Sequence, residues 1–285
     1  MIRQITIIGT GLIGGSLALA LRKHGFGGRI VGCDSPGILQ KARRLKLIDT
    51  GIADAHHSVT GSDVVVLAVP VGSILDLVRQ LGPSLGTQAL LTDVGSTKLA
   101  VVKTASAVLG KNVAEQFLAG HPMAGKELSG LDGADANLFQ DAAWFVTPFP
   151  KQKIEQGRCG EWLGWIEKIG ARVATMDAQQ HDRLCAWISH LPQMISTALA
   201  AALVEEFGSD LPLLEAGGRA LREMTRISAS PYSMWRDIVL TNKKNLGHAL
   251  LQLEQRLAHI RENLDTRELA GEFETAHQLK KTKAT

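Results

Sequence analysis

Cysteine is scarce in this sequence, and long hydrophobic runs are absent. Only three of the 285 residues are cysteine, and Cys33, Cys159 and Cys185 lie too far apart for the spacing of a metal site. Scattered cysteines fit a reducing compartment better than a disulfide-bonded secreted protein. No apolar run approaches the roughly 18 residues needed to span a bilayer, and a strand pattern starting at Ile5 leaves no room for a cleaved signal peptide. We therefore expect a soluble, cytoplasmic protein without a metal.

A strong excess of one charge is also missing. The formal net charge is +3 with neutral histidine, and part of it comes from Lys280, Lys281 and Lys283 at the chain end. So small an excess does not indicate a nucleic-acid partner. The 45% hydrophobic and 21% charged residues are typical of a globular protein with room for two domains.

The most informative motif that is present stands at the start of the chain. A short apolar strand runs into Gly9, Gly11 and Gly14, with Leu12 and Ile13 opening a helical stretch. In such a motif the first glycine permits a tight turn, the second lets a pyrophosphate approach the backbone, and the third allows close helix packing. The phosphates then lie on the free N–H groups at the helix start. The motif predicts a dinucleotide site.

An acidic residue follows the glycine motif where a ribose ligand is expected. Asp34 ends a second apolar strand, 20 positions after Gly14. Its carboxylate would accept hydrogen bonds from both ribose hydroxyls. The same charge would repel the 2′-phosphate of NADP, and no arginine follows Asp34 immediately. We expect the cofactor to be NAD.

Strand and helix patterns alternate through the first half of the chain. Near-continuous apolar runs at 63–69, 89–94, 117–120 and 144–147 follow the first two strands, and such runs are typical of parallel strands buried on both faces. After Pro148 and Pro150 the periodicity becomes mostly helical, with one short strand at 171–176. We predict an α/β doubly wound domain over 1–150 and an all-α domain over 151–285.

The second half is predicted to form helices around 178–189, 192–207, 211–228 and 233–263. Within the last of these, five apolar residues recur every three or four positions: Leu246, Leu250, Leu253, Leu257 and Ile260. A stripe of this spacing packs either against a core or against a second copy of the chain. The sequence leaves both alternatives open.

Ligands of a doubly wound sheet bind beyond the carboxyl ends of its strands. Val69 and Pro70 follow the third strand and are expected beside the nicotinamide ribose. Ser96, after the fourth strand, is either a helix cap or a hydrogen-bond donor in the site. His121 ends the fifth strand, where a neutral histidine could accept the hydroxyl proton during a hydride transfer. Glu127 either polarises a site residue or is a solvated loop acid.

The helical half adds two groups of candidates. His190 lies where one predicted helix ends, so it either caps that end or reaches the cleft. Arg219, Arg222 and Arg226 share one helix face, and like charges at this spacing are unfavourable unless acids or anions intervene. Either nearby glutamates neutralise this face, or its guanidinium groups bind a substrate carboxylate.

Together these motifs resemble the prephenate/arogenate dehydrogenase family of tyrosine biosynthesis, in order and over nearly the whole chain. Besides the glycine motif, the resemblance is carried by Asp-Val-Gly-Ser-Thr-Lys at 93–98, Gly-His-Pro-Met-Ala-Gly at 120–125, Ser-His-Leu-Pro at 189–192, Thr-Arg at 225–226 and Met-Trp-Arg-Asp-Ile at 234–238. It implies a Rossmann domain, a helical dimerisation domain, a homodimer, and an active site between the domains.

The resemblance also implies roles for individual residues. His121 would be the catalytic residue at the C4 hydroxyl of the substrate, and Ser96 would position it and contact the same oxygen. Arg226 would bind a substrate carboxylate, with Glu127 and His190 nearby. In the implied reaction a hydride passes from C4 to NAD, CO2 leaves, and the ring becomes aromatic, which makes the reaction effectively irreversible.

The sequence departs from the family pattern at two positions near the substrate side chain. Gln193 stands where members that prefer prephenate commonly have a second histidine, and Glu223 stands where an aspartate is often found. The resemblance therefore implies a prephenate dehydrogenase, with an arogenate or dual cyclohexadienyl dehydrogenase as the alternative. Gln193 and Gly217 complete the expected substrate contacts.

Two other functions fit parts of the sequence. A β-hydroxyacid dehydrogenase shares the layout but uses a catalytic lysine on the first long helix of its second domain, and 178–206 contains Arg183 but no lysine. A non-catalytic NAD-binding protein would leave His121 and the arginine face without a role.

Overall fold

A single eight-stranded sheet forms the centre of the first domain. The computed structural model describes residues 1–126, 128, 130–208 and 216–281. The strands are β1 (Gln4–Ile8), β2 (Arg29–Cys33), β3 (Thr50–Gly51), β4 (Val64–Leu67), β5 (Leu90–Asp93), β6 (Phe117–Pro122), β7 (Ala143–Thr147) and β8 (Arg172–Thr175). Their order across the sheet is β3-β2-β1-β4-β5-β6-β7-β8. The pairs are parallel except for β6 and β7, which are antiparallel.

Helices cover both faces of this sheet and then form the rest of the described chain. In chain order they are α1 (Leu12–Lys23), α2 (Pro36–Arg44), α3 (Ala55–Ser58), α4 (Val71–Leu81), α5 (Leu99–Leu109), α6 (Val113–Gln116), α7 (Gly157–Lys168), α8 (Ala178–Cys185), α9 (Leu191–Phe207), α10 (Gly218–Thr225), α11 (Tyr232–Thr241), α12 (Lys243–Glu262) and α13 (Glu268–Lys281). The doubly wound α/β domain followed by helices confirms the predicted fold class.

Two separate apolar clusters explain why the strands are hydrophobic on both faces. On one face, buried side chains of α1, α2 and α7, such as Leu17, Leu39 and Ile166, pack against the sheet. On the other, α4 and α5 contribute residues such as Ile74 and Val101. All four residues of β4 and all four of β5 are buried. This burial is typical of central strands in a parallel sheet with helices on both sides.

The sheet extends beyond residue 150, where the sequence pattern places the domain boundary. Pro148 and Pro150 follow the end of β7, but α7 then packs on the sheet and β8 pairs with β7 in parallel. The strand predicted at 171–176 therefore belongs to the first domain. The change to helices alone comes after Thr175.

Two predicted helix boundaries also differ from the structure. The predicted break between 189 and 192 is absent, because a π-helical turn at Ala186–His190 connects α8 directly to α9. The predicted single helix at 233–263 is interrupted at Asn242, which ends α11 and precedes α12. Part of the helix predicted at 211–228 lies outside the described residues, and 218–225 form α10.

The continuous helix from Ala178 to Phe207 is longer and more apolar than the sequence pattern suggested. By length and composition alone it could cross a membrane, with a mean hydropathy of 1.2 over its most apolar window. Only 22% of that window is buried within this one chain. The same helix also carries the buried polar residues Asp182, His190 and Gln193.

The apolar stripe of α12 divides between a core role and an exposed one. Leu246 is buried with Leu191 and Ala249, and Leu250 and Leu253 pack beside them. Leu257, further along the stripe, is 55% exposed. The first turns of α12 therefore belong to the core of the helical domain, whereas its later turns expose apolar side chains.

A buried ion pair connects the carboxyl ends of β5 and β6. The Lys98 ammonium donates to the carboxylate of Asp93 and, at 2.7 Å, to the carbonyl oxygen of Gly120. The other carboxylate oxygen of Asp93 accepts from the Gly120 N–H at 3.2 Å. Both charged side chains are fully buried. The pair braces the backbone just before His121.

Removing one member of this pair should destabilise the fold strongly. Lys98→Met leaves the Asp93 carboxylate buried without its counter-ion, which costs about 3–5 kcal/mol for such pairs. Urea unfolding of the purified variant measures this loss. Asp93→Asn in the Lys98→Met background should recover part of it, because the isolated charge is gone. A Lys98→Met variant that unfolds at the wild-type urea concentration would contradict this account.

Candidate active site

The turn between β1 and α1 is shaped by glycines. Gly9 has φ of +91°, and a Cβ there would lie 2.3 Å from the carbonyl oxygen of Ala68. A Cβ on Gly14 would lie 1.9 Å from the carbonyl oxygen of Gly9, so α1 packs directly on the turn. Gly11 differs, because its Cβ would meet no protein atom within 4 Å. This open side leaves room for a pyrophosphate at the backbone.

The groups around this turn fit a dinucleotide. Helix α1 starts after Gly11 without a side-chain cap, so its first N–H groups remain available to an anion. Asp34 stands beside the turn at the end of β2. Its Oδ2 accepts from the Thr10 N–H at 2.8 Å, and its Oδ1 accepts from the Ser35 N–H at 2.7 Å. These bonds fix the carboxylate where the sequence predicts a ribose.

A cleft of about 420 Å³ opens beyond the carboxyl ends of β1, β4, β5 and β6. Six residues predicted from the sequence line its sheet side: Leu12, Ile13, Val69, Pro70, Ser96 and His121. The opposite wall comes from the segment that begins α11: Pro231, Ser233, Met234 and Ile238. The cleft therefore lies between the sheet domain and the helical domain.

A larger depression of about 840 Å³ lies at the other edge of the sheet, near the amino ends of β1 and β2. Arg3 and Arg29 line it, and none of the predicted site residues does. Because ligands of doubly wound sheets bind at the carboxyl edge, the smaller cleft is the candidate active site.

His121 is held from behind by a chain of hydrogen bonds. Its Nδ1 lies 2.9 Å from Nε2 of His181. Nδ1 of His181 lies 2.8 Å from Oδ1 of Asp182. His181 and Asp182 are buried on α8, whereas His121 lines the cleft. Nε2 of His121 forms no hydrogen bond within the described part of the chain.

Asp182 also caps helix α5 from the other domain. Its Oδ1 accepts from the Lys98 N–H at 2.7 Å, and its Oδ2 accepts from the Leu99 N–H at 3.0 Å. Ser96 forms no side-chain cap, and α5 begins only at Leu99. Ser96 therefore does not cap this helix but lines the cleft, and its role as a hydrogen-bond donor there remains a prediction.

Burial keeps the two imidazoles, His121 and His181, and the thiol of Cys185 uncharged. It lowers the pKa of His121 well below 6.5, and the positive charge of Lys98 acts in the same direction. Burial also lowers the pKa of His181, although the hydrogen bond to Asp182 opposes the shift. The pKa of the Cys185 thiol is raised to about 12, again mainly by burial. Near pH 7 both imidazoles are neutral and can accept a proton.

His121, His181 and Cys185 also have the composition of a metal-ligand set, with one ligand atom of each within 4.8 Å of the others. In this chain Nδ1 of His121 and Nε2 of His181 already share a hydrogen bond. Binding of a metal ion would also require the Cys185 thiol to lose its proton, although its pKa is about 12, and would place a second cation near the Lys98 ammonium. The hydrogen bonds account for the cluster, and we assign no metal to it.

His190 is fully buried behind the cleft. Its Nδ1 accepts from Nδ2 of Asn242 at 3.1 Å, and its ring packs edge-on against Trp235. Burial lowers the pKa of His190 to about 4. Its Nε2 has no hydrogen-bond partner of normal geometry in the described chain. The residue neither lines the cleft nor caps a helix end, because α8 continues through it into α9.

Gln193 is buried against the turn that carries Arg226. Its Nε2 donates to the carbonyl oxygen of Ile227 at 3.0 Å and to Oγ1 of Thr197 at 3.2 Å. The Arg226 side chain is exposed at the start of the short 3-10 turn Arg226–Ala229. Gly217 precedes α10 and does not line the cleft. The roles of Gln193, Gly217 and Arg226 in substrate binding remain predictions.

The remaining candidates are Glu127 and the acids near Arg219, Arg222 and Arg226. Glu127 lies outside the described residues, as does Glu215, which precedes these arginines. Arg219 donates to Glu223 at 2.7 Å on an exposed surface. For Arg219, a nearby glutamate therefore neutralises the charge, which is the first of the two alternatives given for this helix face.

Sequence reasoning missed the residues behind His121. His181, Asp182 and Asn242 come from α8 and from the start of α12, and Asn242 links them by donating to the Asp182 carbonyl at 2.7 Å. The adjacent His181-Asp182 pair is the feature of the sequence that could have indicated them. Its role depends on the contact of His181 with His121, 60 positions away, and this contact is not evident from the sequence.

Two family models match this chain in succession. The model described as "Prephenate dehydrogenase, nucleotide-binding domain" matches residues 17–175, and "Prephenate dehydrogenase, dimerization domain" matches residues 177–278. The two matches meet where the sheet ends.

Individual relatives agree with these matches. Prephenate dehydrogenase of Bacillus subtilis is 36% identical over 250 residues, which cover 85% of this chain and 65% of the relative. A cyclohexadienyl dehydrogenase of Zymomonas mobilis is 33% identical over 245 residues, covering 84% and 81%. A crystal structure of prephenate dehydrogenase from A. aeolicus with hydroxyphenyl propionate and NAD+ has a TM-score of 0.84 and 32% identity, covering 100% and 97%. The chain thus spans just under two thirds of the Bacillus relative.

Two glycine variants should separate packing from ligand binding. Gly14→Ala places a methyl group against the backbone of Gly9 and should destabilise the ligand-free protein by about 1–3 kcal/mol or more. The methyl group added by Gly11→Ala meets no protein atom, so the free energy of unfolding should change by only about 0.5 kcal/mol. The affinity for the dinucleotide should fall, because the methyl group occupies the space left for the pyrophosphate. Urea unfolding and cofactor titration measure the two effects. Equal destabilisation by both variants would be inconsistent with this geometry.

The lowered pKa of His190 should make stability depend on pH. Unfolded histidine gains a proton below about pH 6.5, but buried His190 does not until about pH 4. The free energy of unfolding should therefore fall as pH drops through this window, by up to about 3 kcal/mol from this residue. His190→Asn keeps an acceptor for Asn242 and should flatten the decline between pH 7 and 4. An unchanged slope would contradict the assignment.

Proposed function

The chain belongs to the prephenate dehydrogenase family, and from this premise we propose that it converts prephenate to 4-hydroxyphenylpyruvate and CO2 with reduction of NAD. The observation that carries the proposal is the position of neutral His121 in the same cleft that Leu12 and Ile13 of the glycine motif line. Its Nε2 is available at the carboxyl edge of the sheet, where a dinucleotide and a substrate would meet. An NAD-dependent oxidoreductase needs such a base at this place.

NAD fits the residues that surround the glycine turn. The open side of Gly11 and the uncapped start of α1 would hold the pyrophosphate, and Asp34 would hold the adenosine ribose. Val69 and Pro70 would lie along the nicotinamide half. When bound, NAD supplies the acceptor for the hydride from C4 of the substrate.

His121 moves the proton in this reaction. As the hydride leaves C4, Nε2 of His121 would accept the proton of the C4 hydroxyl. The electron pair of the bond between the ring and its carboxylate would move into the developing dienone as CO2 leaves. The phenolate oxygen formed in this way would take the proton back from His121, which gives the phenol of the product. Ser96, half-buried in the cleft wall, would donate to the same oxygen. Burial favours this step, since it excludes water and holds the imidazole neutral before the reaction.

Arg226 is proposed to bind a substrate carboxylate. A guanidinium binds a carboxylate bidentately. Gln193 would contribute by fixing the following carbonyl, that of Ile227. A carboxylate contact equally strong before and during the reaction would raise affinity but not kcat. Glu127 completes the proposed surroundings, whereas buried His190 would act only from behind the cleft, through its contacts with Asn242 and Trp235.

Arogenate is the second candidate substrate. Gln193 takes the place of a second histidine, and its amide is directed to the backbone of Ile227. The match to a cyclohexadienyl dehydrogenase also agrees with a broader substrate range. A dual enzyme would accept either the keto acid or the amino acid side chain.

A homodimer formed by the helical domain belongs to the same proposal. The long helix α8–α9 leaves most of its apolar window uncovered, and Phe207, Leu251 and Leu257 are about half exposed. A second copy of the chain would cover this surface, in keeping with the dimerization-domain match over 177–278. We propose a cytoplasmic location, which suits three buried free thiols.

Turnover measurements test the proposal directly. The protein with NAD should form NADH with prephenate, and parallel kcat/KM values for prephenate and arogenate rank the two substrates. His121→Asn should lower kcat by about 10²–10⁴-fold with nearly unchanged NAD affinity, because the base is lost and the cofactor contacts remain. Folded wild-type protein that oxidises neither substrate would refute the function. Full activity in His121→Asn would refute the base assignment.

A further inference from the structure

We propose that His181 is a positioning residue that sets the tautomer of His121, and that Asp182 fixes His181 in turn. The proposal rests on the proposed role of His121 as the base. Neither His181 nor Asp182 lines the cleft. Their contribution is therefore made through His121 and not through contact with substrate or cofactor.

The direction of the hydrogen bonds begins at Asp182. Its Oδ1 accepts from the Lys98 N–H and its Oδ2 from the Leu99 N–H, and backbone N–H groups can only donate. The carboxylate therefore acts as an acceptor on both oxygens. Nδ1 of His181, 2.8 Å from Oδ1, must carry its own proton to complete the third bond.

The second bond follows from the first. Buried His181 is neutral, since burial lowers its pKa. With a proton on Nδ1, its Nε2 has only a lone pair to offer. The 2.9 Å contact between this nitrogen and Nδ1 of His121 then requires that His121 donates. His121, also neutral, is left with its lone pair on Nε2, the atom that must accept the substrate proton.

Cys185 does not change this assignment. Its sulfur lies 3.4 Å from Nε2 of His181 and 3.9 Å from Nδ1 of His121. A thiol is a weak donor, and with a pKa of about 12 it keeps its proton. The thiol could also donate to the lone pair on Nε2 of His181. Nδ1 of His121 must still carry a proton, because two unprotonated nitrogens would repel each other at 2.9 Å.

The positioning groups belong to the helical domain, whereas His121 belongs to the sheet. Helix α8 also reaches the sheet domain through the bonds from Asp182 to the start of α5. The base is therefore oriented correctly only when the two domains are docked. The same contact that joins them prepares His121 for proton transfer.

Two substitutions of His181 separate its two hydrogen bonds. An asparagine side-chain nitrogen matches the position of Nδ1, so His181→Asn keeps the bond to Asp182 and loses the acceptor for His121. A glutamine oxygen matches the position of Nε2, so His181→Gln keeps the acceptor for His121. We expect kcat to fall about 100-fold in His181→Asn, as for partial loss of a general base, and less than about tenfold in His181→Gln. KM for NAD and for prephenate should change little in both.

Controls distinguish positioning from a packing role. Thermal unfolding of both variants shows whether the losses of kcat follow losses of stability. Cys185→Ala alters the packing of the same side chains and introduces no hydrogen-bond donor beside Nε2 of His181, so its kcat should remain near wild type. Equal kcat losses in His181→Asn and His181→Gln, or wild-type kcat in His181→Asn, would overturn the inference while leaving the function intact. Wild-type protein without turnover would instead overturn the proposed function and the inference with it.

Discussion

The carboxylate of Asp182 is the contact on which the candidate site depends. It accepts two backbone N–H groups at the start of α5 and one from His181. The first two attach the helical domain to the loop that carries Ser96. The third begins the chain that ends at His121. One buried acceptor therefore joins the domains, orders the loop after β5 and orients the proposed base.

Other bonds between the domains act at the same edge of the sheet. Asp237 of α11 accepts from the Gly72 N–H at 2.9 Å, at the start of α4. The hydroxyls of Thr97 and Thr241 lie 2.8 Å apart. The Asp93–Lys98 pair holds the backbone before His121 from within the sheet. These contacts fix the segments that follow β4 and β5 and the backbone before His121. The protein itself therefore orders these segments, which lowers the cost of ordering the site when a ligand binds.

The parts of the site that the sequence predicted are those encoded locally. Gly9, Gly14 and Asp34 follow their strands in a recognisable motif, and His121 stands at a strand end where ligands of such sheets bind. The domain boundary was misplaced because β8 has only four residues and follows a helix, so its place in the sheet is decided by pairing with β7. The sequence did not predict the roles of His181 and Asp182, because these roles arise from contacts with residues 60 to 84 positions away. Such contacts leave no local pattern in the sequence.

The central claim is that neutral His121 presents a bare Nε2 to the cleft because its Nδ1 proton is donated to His181. Nitrogen-15 NMR of the histidine side chains, in protein near pH 7, reads the protonation of each ring nitrogen directly, and the His121→Asn and His181→Gln spectra assign the two signals. Both rings are expected to be neutral, each with its proton on Nδ1. A His121 ring protonated on Nε2, or a charged His121–His181 pair, would contradict this claim.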